Sequence, residues 1–131
     1  MKYAVLGLAG SAALCLVLVL TLHRSAYRRT AAKADSPDVR QALELLRGIA
    51  AHPATAAAHM APEAGERARE GVAAAAQTMG KASSVDFKGA AWFGVYLRVA
   101  VTCPRDNGPP YERCFFMRKE GGELRITGVE S

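Results

Sequence analysis

Two cysteines of this chain, Cys103 and Cys114, have the residue type and spacing for covalent chemistry, because they flank a turn-rich segment. A pair placed in this way readily forms a disulfide in an oxidising compartment. A nucleophilic role for Cys103 would instead require a nearby base and a lowered pKa. We therefore predict a structural Cys103–Cys114 disulfide, which would stabilise a small domain by about 2–3 kcal/mol.

The other residue types that support chemistry do not form a recognisable site. His52 and His59 lie seven residues apart, with no cysteine or acidic residue at ligand spacing, and His23 borders a long apolar run. Metal binding needs several convergent ligands. The chain has no Gly-x-Ser-x-Gly, Walker or Rossmann pattern. The sequence therefore predicts no metal, no cofactor and a non-enzymatic protein.

The basic charge is concentrated near the N-terminus. The chain of 131 residues has a formal net charge of +5, but from residue 34 onward it has 12 basic and 12 acidic residues. The remaining basic residues flank the apolar run: Lys2, Arg24, Arg28, Arg29 and Lys33. This placement is typical of a membrane surface. No patch of interleaved aromatic and basic residues points to nucleic acid.

The apolar run covers residues 3–22 without a charge, which is about the length needed to cross a bilayer as a helix. A cleaved signal peptide is the alternative, but no small-x-small cleavage site follows the run directly. We predict a transmembrane anchor over 1–23 in contact with membrane lipid, a basic juxtamembrane linker over 24–35 and a small α+β domain over 36–131.

The side of the membrane depends on two opposing signals. The basic residues after the run favour a cytoplasmic C-terminal domain by the positive-inside rule. The cysteine pair and the very short N-terminal tail favour the extracytoplasmic side. We predict an extracytoplasmic domain.

Helical signals precede strand signals in the soluble part. Ser36 and Pro37 begin a first helix, whose apolar residues recur at helical spacing until Pro53. A second helix is predicted from 62–63 to about Met79, where Gly80 ends it. From residue 83 the pattern has period two, with a short strand near 84–87, a long strand over 91–103, a strand over 114–119 and a last strand over 124–129 joined by Gly121-Gly122. The sequence thus predicts two helices packed on a curved antiparallel sheet of three to four strands.

The predicted register leaves apolar side chains on both faces of the sheet. If Cys103 faces Cys114, Val101 opposes Phe116, and the Gly-Gly hairpin places Met117 opposite Ile126. Two helices cover only one face, so the other must meet more of the chain, a subunit or a ligand. The candidate binding residues are Trp92, Tyr96, Arg98 and Met117, because tryptophan and arginine are frequent anchors of interfaces. The alternative is that the aromatic side chains belong to the core.

The order of elements resembles the cystatin-like or NTF2-like α+β group. The resemblance covers roughly residues 37–129 and is carried by three segments: Met79-Gly80-Lys81 before Ser84-Val85-Asp86-Phe87, the strand Tyr96-Leu97-Arg98-Val99, and the closing Gly122-Glu123-Leu124-Arg125-Ile126. The resemblance implies an anchored protein of the bacterial inner membrane and, as an alternative function, a small-ligand pocket. This chain is shorter than a full member of the group, and no catalytic residues transfer to it.

These observations predict a membrane-tethered module that contacts another protein in the same membrane. A pocket lined by Trp92, Tyr96, Arg98 and Met117 would indicate a small-ligand-binding domain instead. An accessory subunit that acts mainly through its membrane helix is the third possibility.

Overall fold

A computed structural model describes residues 29–130, which form an antiparallel sheet with helices on one side. The helices are α1 (Pro37–Ala51), a 310 helix (Pro53–His59) and α2 (Glu66–Met79). The strands are β1 (Arg29–Ala32), β2 (Asp86–Phe93), β3 (Tyr96–Cys103), β4 (Tyr111–Glu120) and β5 (Glu123–Glu130). The α+β class is confirmed. The described chain has five strands rather than three or four, and a 310 helix in addition to the two predicted helices.

Helix α1 forms where the sequence predicts it. The Ser36 hydroxyl accepts a hydrogen bond from the Val39 amide at 3.4 Å, and Pro37 occupies the first turn. This satisfies one of the amides that a helix start leaves without a partner. All six predicted apolar positions are buried: Val39, Ala42, Leu43, Leu46, Ile49 and Ala50.

Helix α2 begins later than predicted, at Glu66 rather than at residues 62–63. Gly65 precedes it and provides no side-chain cap. The Arg69 guanidinium donates hydrogen bonds to the carbonyls of Ala64 and Ala61 at 3.0 and 3.1 Å. These contacts hold the entry segment in a non-helical path, and the helix then runs to Met79 as expected.

The predicted long strand over 91–103 is two strands joined by a tight turn. Phe93 pairs with Tyr96, and Gly94 and Val95 form the turn between them. Gly94 has φ +60, which a residue with a side chain rarely adopts, whereas Val95 does not have positive φ. Glycine at the first position of a two-residue turn matches the right-handed twist of a hairpin. The turn reverses the chain and brings β2 beside β3.

The last hairpin has the predicted register. Met117 lies opposite Ile126 and Lys119 opposite Leu124, with Gly121 and Gly122 both at positive φ in the turn. A bulge between Phe116 and Met117 shifts the pairing beyond that point.

The predicted register of β3 with β4 is wrong by three residues. Cys103 lies opposite Tyr111, and Cys114 lies opposite Ala100. Strand β4 begins at Tyr111 rather than at Cys114, so three more residues pair with β3. Because side chains alternate between faces, a shift by an odd number exchanges the faces of one strand relative to the other.

This register places the large apolar side chains of β3 and β4 on the face that meets the helices. Leu97, Val99, Phe115 and Met117 have no exposed surface and pack with the buried residues of α1 and α2 in one cluster. At the edge of this core, the Lys119 ammonium lies 2.6 Å from the Asp38 carboxylate and joins β4 to the first turn of α1.

The sheet has the order β1-β2-β3-β4-β5, and its two edges differ. The Ala61 amide donates to the Ile126 carbonyl at 2.8 Å, so the segment after the 310 helix pairs with β5. Strand β1 forms the other edge, and it lies inside the segment predicted as linker 24–35. The folded domain therefore extends at least to Arg29 rather than beginning at residue 36.

The predicted anchor over 1–23 lies outside the described residues. Within residues 29–130, no helix has the length and hydropathy needed to cross a bilayer.

Two alanine substitutions at glycines should change stability in opposite directions. Gly122→Ala should lower the free energy of unfolding by about 1 kcal/mol, because Gly122 has φ +84. Gly48→Ala should raise it by about 0.5–1 kcal/mol, because Gly48 lies in α1 with open space around its added methyl group. Denaturant unfolding of the full chain in mild detergent measures both changes. Equal stability of the two variants would contradict the turn geometry.

Candidate functional site

The two faces of the sheet have different surroundings. The core face meets the helices. On the opposite face, which we call the outer face, no described helix packs, and it carries the alternate side chains of the same strands. Any site formed by the sheet and accessible to a partner must therefore lie on the outer face or at the ends of the strands.

The four predicted binding residues do not lie together. Tyr96 and Arg98 lie on the outer face, with Tyr96 exposed and Arg98 half-buried. Met117 lies on the core face and is completely buried, and Trp92 is partly buried against the same core. The Gly94–Val95 turn explains the error, because it places Trp92 opposite Leu97 and hence on the core side. One pocket cannot be lined by all four residues.

Two aromatic residues, Phe93 and Phe116, lie beside Tyr96 and Arg98 on the outer face. Phe93 is paired with Tyr96 across β2 and β3, and Phe116 is paired with Arg98 across β3 and β4. We call Phe93, Tyr96, Arg98 and Phe116 the outer patch. The sequence signal for Phe93 is Gly94, because a glycine within a β-rich run permits a tight turn, which changes the faces of the residues before it. Phe116 reaches the outer face through the register of β3 with β4.

Arg98 of the outer patch is held by an ion pair with Glu130. Its Nε and Nη2 atoms donate to Oε1 of Glu130 at 2.9 and 2.7 Å. The contact joins β3 to the end of β5 across β4. The side chains of Arg98 and Glu130 are 29% and 46% exposed, so the pair contributes less than about 1 kcal/mol to stability. Its main effect is to fix the guanidinium on the surface.

A groove adjoins the outer patch on the same face. Its lining includes the small residues Gly89, Ala91 and Ala100 together with Cys114, and its volume is about 350 Å3. Lys88 and Glu112, joined by an ion pair at 2.7 Å, line the groove away from Arg98. We call this the outer groove. Small residues between longer neighbours leave room for one side chain of a partner or for a small ligand.

Cys103 and Cys114, the two cysteines among residues 29–130, are both free and lie on opposite faces of the sheet. Cys103 is completely buried on the core face, whereas Cys114 is partly exposed in the outer groove. Burial raises the pKa of the Cys103 thiol, and the nearby Asp86 carboxylate raises it further, while Arg105 acts in the opposite direction. A raised pKa disfavours the nucleophilic thiolate. The predicted disulfide is not formed, and Cys103 acts as a small apolar core residue.

The histidines of the described chain do not converge. His52 ends α1 and His59 lies at the end of the 310 helix. Within residues 29–130, no group of three or more histidine, cysteine or acidic residues is arranged to hold a metal ion.

Comparison with known proteins identifies no matching family model, no similar curated protein and no similar solved structure. The site is therefore interpreted from its own geometry.

The two thiols should react at different rates in the folded chain. Cys114 should be labelled by a maleimide at neutral pH, whereas Cys103 should react only after unfolding, because it is buried and its thiolate is disfavoured. Mass spectrometry of the labelled peptides separates the two sites. A peptide pair linked through Cys103 and Cys114 would contradict the observed β3–β4 register.

Proposed function

We propose that this protein is a membrane-tethered, non-enzymatic binding module that contacts another protein of the same membrane through the outer face of its sheet. The observation that carries the proposal is the division of the sheet: the described helices pack on one face, and the other presents the outer patch beside the outer groove. The described helices cover the core face, whereas the ring of Tyr96 on the outer face is exposed.

The composition of the outer patch suits a protein partner. Tyrosine and arginine are enriched among residues that dominate binding energy, particularly where less critical contacts surround them. Arg98 is already held by Glu130, so binding would cost little side-chain entropy there. The outer groove beside it can accept one side chain of the partner.

Tethering would increase the chance of such a contact. The apolar run over residues 3–22 has the length of a membrane helix. Confinement to one membrane raises the effective concentration of two proteins toward each other. The balanced charge of the chain after residue 33 favours neither nucleic acid nor a strongly acidic partner.

We place the domain on the extracytoplasmic side of a bacterial inner membrane. The cysteine pair does not support this placement, since the two thiols lie on opposite faces of the sheet. The placement now depends on the resemblance to anchored cystatin-like or NTF2-like proteins. Helices on one side of an antiparallel sheet are compatible with that resemblance. The basic residues after the run remain the argument for the opposite side.

Small-ligand binding is the second candidate. Its support is the outer groove, whose volume lies within the usual range for small-ligand sites. Two of the three cationic residues of its lining, Lys88 and Arg98, are paired with glutamates, whereas the guanidinium of Arg113 lies over the ring of Tyr111. The protein partner is preferred because the outer patch also includes the exposed ring of Tyr96, which does not line the groove.

Photocrosslinking from the outer face tests the proposal. Replacing Tyr96 of the full chain by p-benzoylphenylalanine should give a discrete adduct with a membrane protein when intact cells are irradiated. The same replacement at Gln77, which is exposed on α2, should give none. An adduct only with residues 1–28 of the same chain, or no adduct at Tyr96, would contradict the proposal.

The role of Arg98 gives a second test with a matched control. Arg98→Ala should reduce the yield of that adduct about tenfold, which corresponds to a loss of about 1.4 kcal/mol of binding, while changing stability by less than about 1 kcal/mol. Lys119→Ala removes an ion pair on the other side of the sheet and should leave the yield unchanged. Equal yields for both variants would exclude Arg98 from the interface.

A further inference from the structure

The end of the sheet nearest the predicted anchor carries its most exposed large apolar side chains. Val95 is 66% exposed and Tyr96 is 42% exposed, and they are the large hydrophobic residues of the described chain with this degree of exposure. Both belong to the β2–β3 turn region. Val95, in the two-residue turn, makes no contribution to the described core.

Strand β1 connects this turn to the predicted membrane segment. Arg29, the first residue of β1, lies opposite Phe93 in the sheet, and such partners have Cα atoms about 5 Å apart. Only residues 23–28 separate β1 from the apolar run. Six extended residues span at most about 20 Å, so the β2–β3 turn must lie near the membrane surface if the run is in the bilayer.

The other end of the sheet is much farther from that attachment point. Strand β3 runs from Tyr96 at the turn to Cys103 at the opposite end, a distance of about 24 Å at the usual rise per residue. To place the opposite end against the membrane, the six-residue connection would have to run back along the whole sheet. The short connection therefore orients the turn toward the bilayer.

The charges around the turn agree with this orientation. Arg24, Arg28 and Arg29 lie in the connection or at its end, and basic residues that follow a membrane segment directly in the sequence are attracted to anionic headgroups. The acidic residues of the neighbouring β4–β5 turn, Glu120 and Glu123, lie near arginines, at 3.5 Å from Arg118 and 3.2 Å from Arg125 respectively. The pairing reduces their repulsion from an anionic surface.

We infer that the β2–β3 turn, with Val95 and Tyr96 at its tip, docks on the lipid surface of the membrane that holds the anchor. The valine side chain enters the boundary between headgroups and acyl chains, where tyrosine is also favoured. The strands then run roughly perpendicular to the membrane plane. The outer face is directed along that plane, toward other membrane proteins. This inference depends on the tethering in the proposed function, but not on the identity of the protein partner.

Quenching by lipids tests the contact in the full chain. In a Trp92→Phe background reconstituted into liposomes, Val95→Trp should be quenched by acyl-chain-brominated lipid about twofold or more beyond Asn107→Trp, because only the former lies at the boundary. Asn107 lies in the exposed loop at the opposite end of the sheet. Tyr96→Trp provides a second reporter at the turn, in case Val95→Trp disturbs the hairpin.

The two proposals fail in different ways. If the chain does not float with the liposomes after an alkaline wash, it is not anchored in the membrane. Both the tethering and the docking of the turn are then overturned. If the chain floats but tryptophan at residues 95 and 96 is quenched no more than at 107, the docking of the turn is wrong while tethering stands. Preferential quenching at both turn positions supports the docked orientation.

Discussion

The pairing of β3 with β4 is the constraint on which the rest of the structure depends. Because strand side chains alternate, placing Phe115 opposite Val99 sends the aliphatic residues of both strands toward the helices. The same pairing puts Cys103 in the core and Arg98 on the outer face. Burial of the large side chains thus determines, through geometry alone, which residues remain available to a partner.

The elements with strong local signals could be predicted from the sequence. Helix α1 has a capping serine, a proline in its first turn and apolar residues at helical spacing, and each signal acts within a few residues. The β4–β5 hairpin follows from Gly121 and Gly122, since a two-residue turn with both residues at positive φ fixes the register of its strands. In both cases the residues that form the element also carry the signal that predicts it.

The remaining features depend on contacts between distant segments. The seven-residue loop before β4 does not fix a register, so the cysteines suggested a pairing that core packing overrides. Strand β1 has the sequence Arg-Thr-Ala-Ala, without alternation, and becomes a strand only through β2. The turn at Gly94 was missed because one glycine is its whole signal. For these reasons the four predicted binding residues do not lie together. Tyr96 and Arg98 are at the candidate site, whereas Trp92 and Met117 are on the core side.

The position of β1 also has a mechanical consequence. If the chain is tethered as proposed, a pull from the bilayer acts directly on the four-residue ladder between β1 and β2. The hydrogen bonds of antiparallel strands are perpendicular to the strand direction. A force along β1 therefore loads all bonds of the ladder together in shear, rather than breaking them one by one. A short edge strand can in this way resist tension between a membrane and a bound partner better than its length suggests.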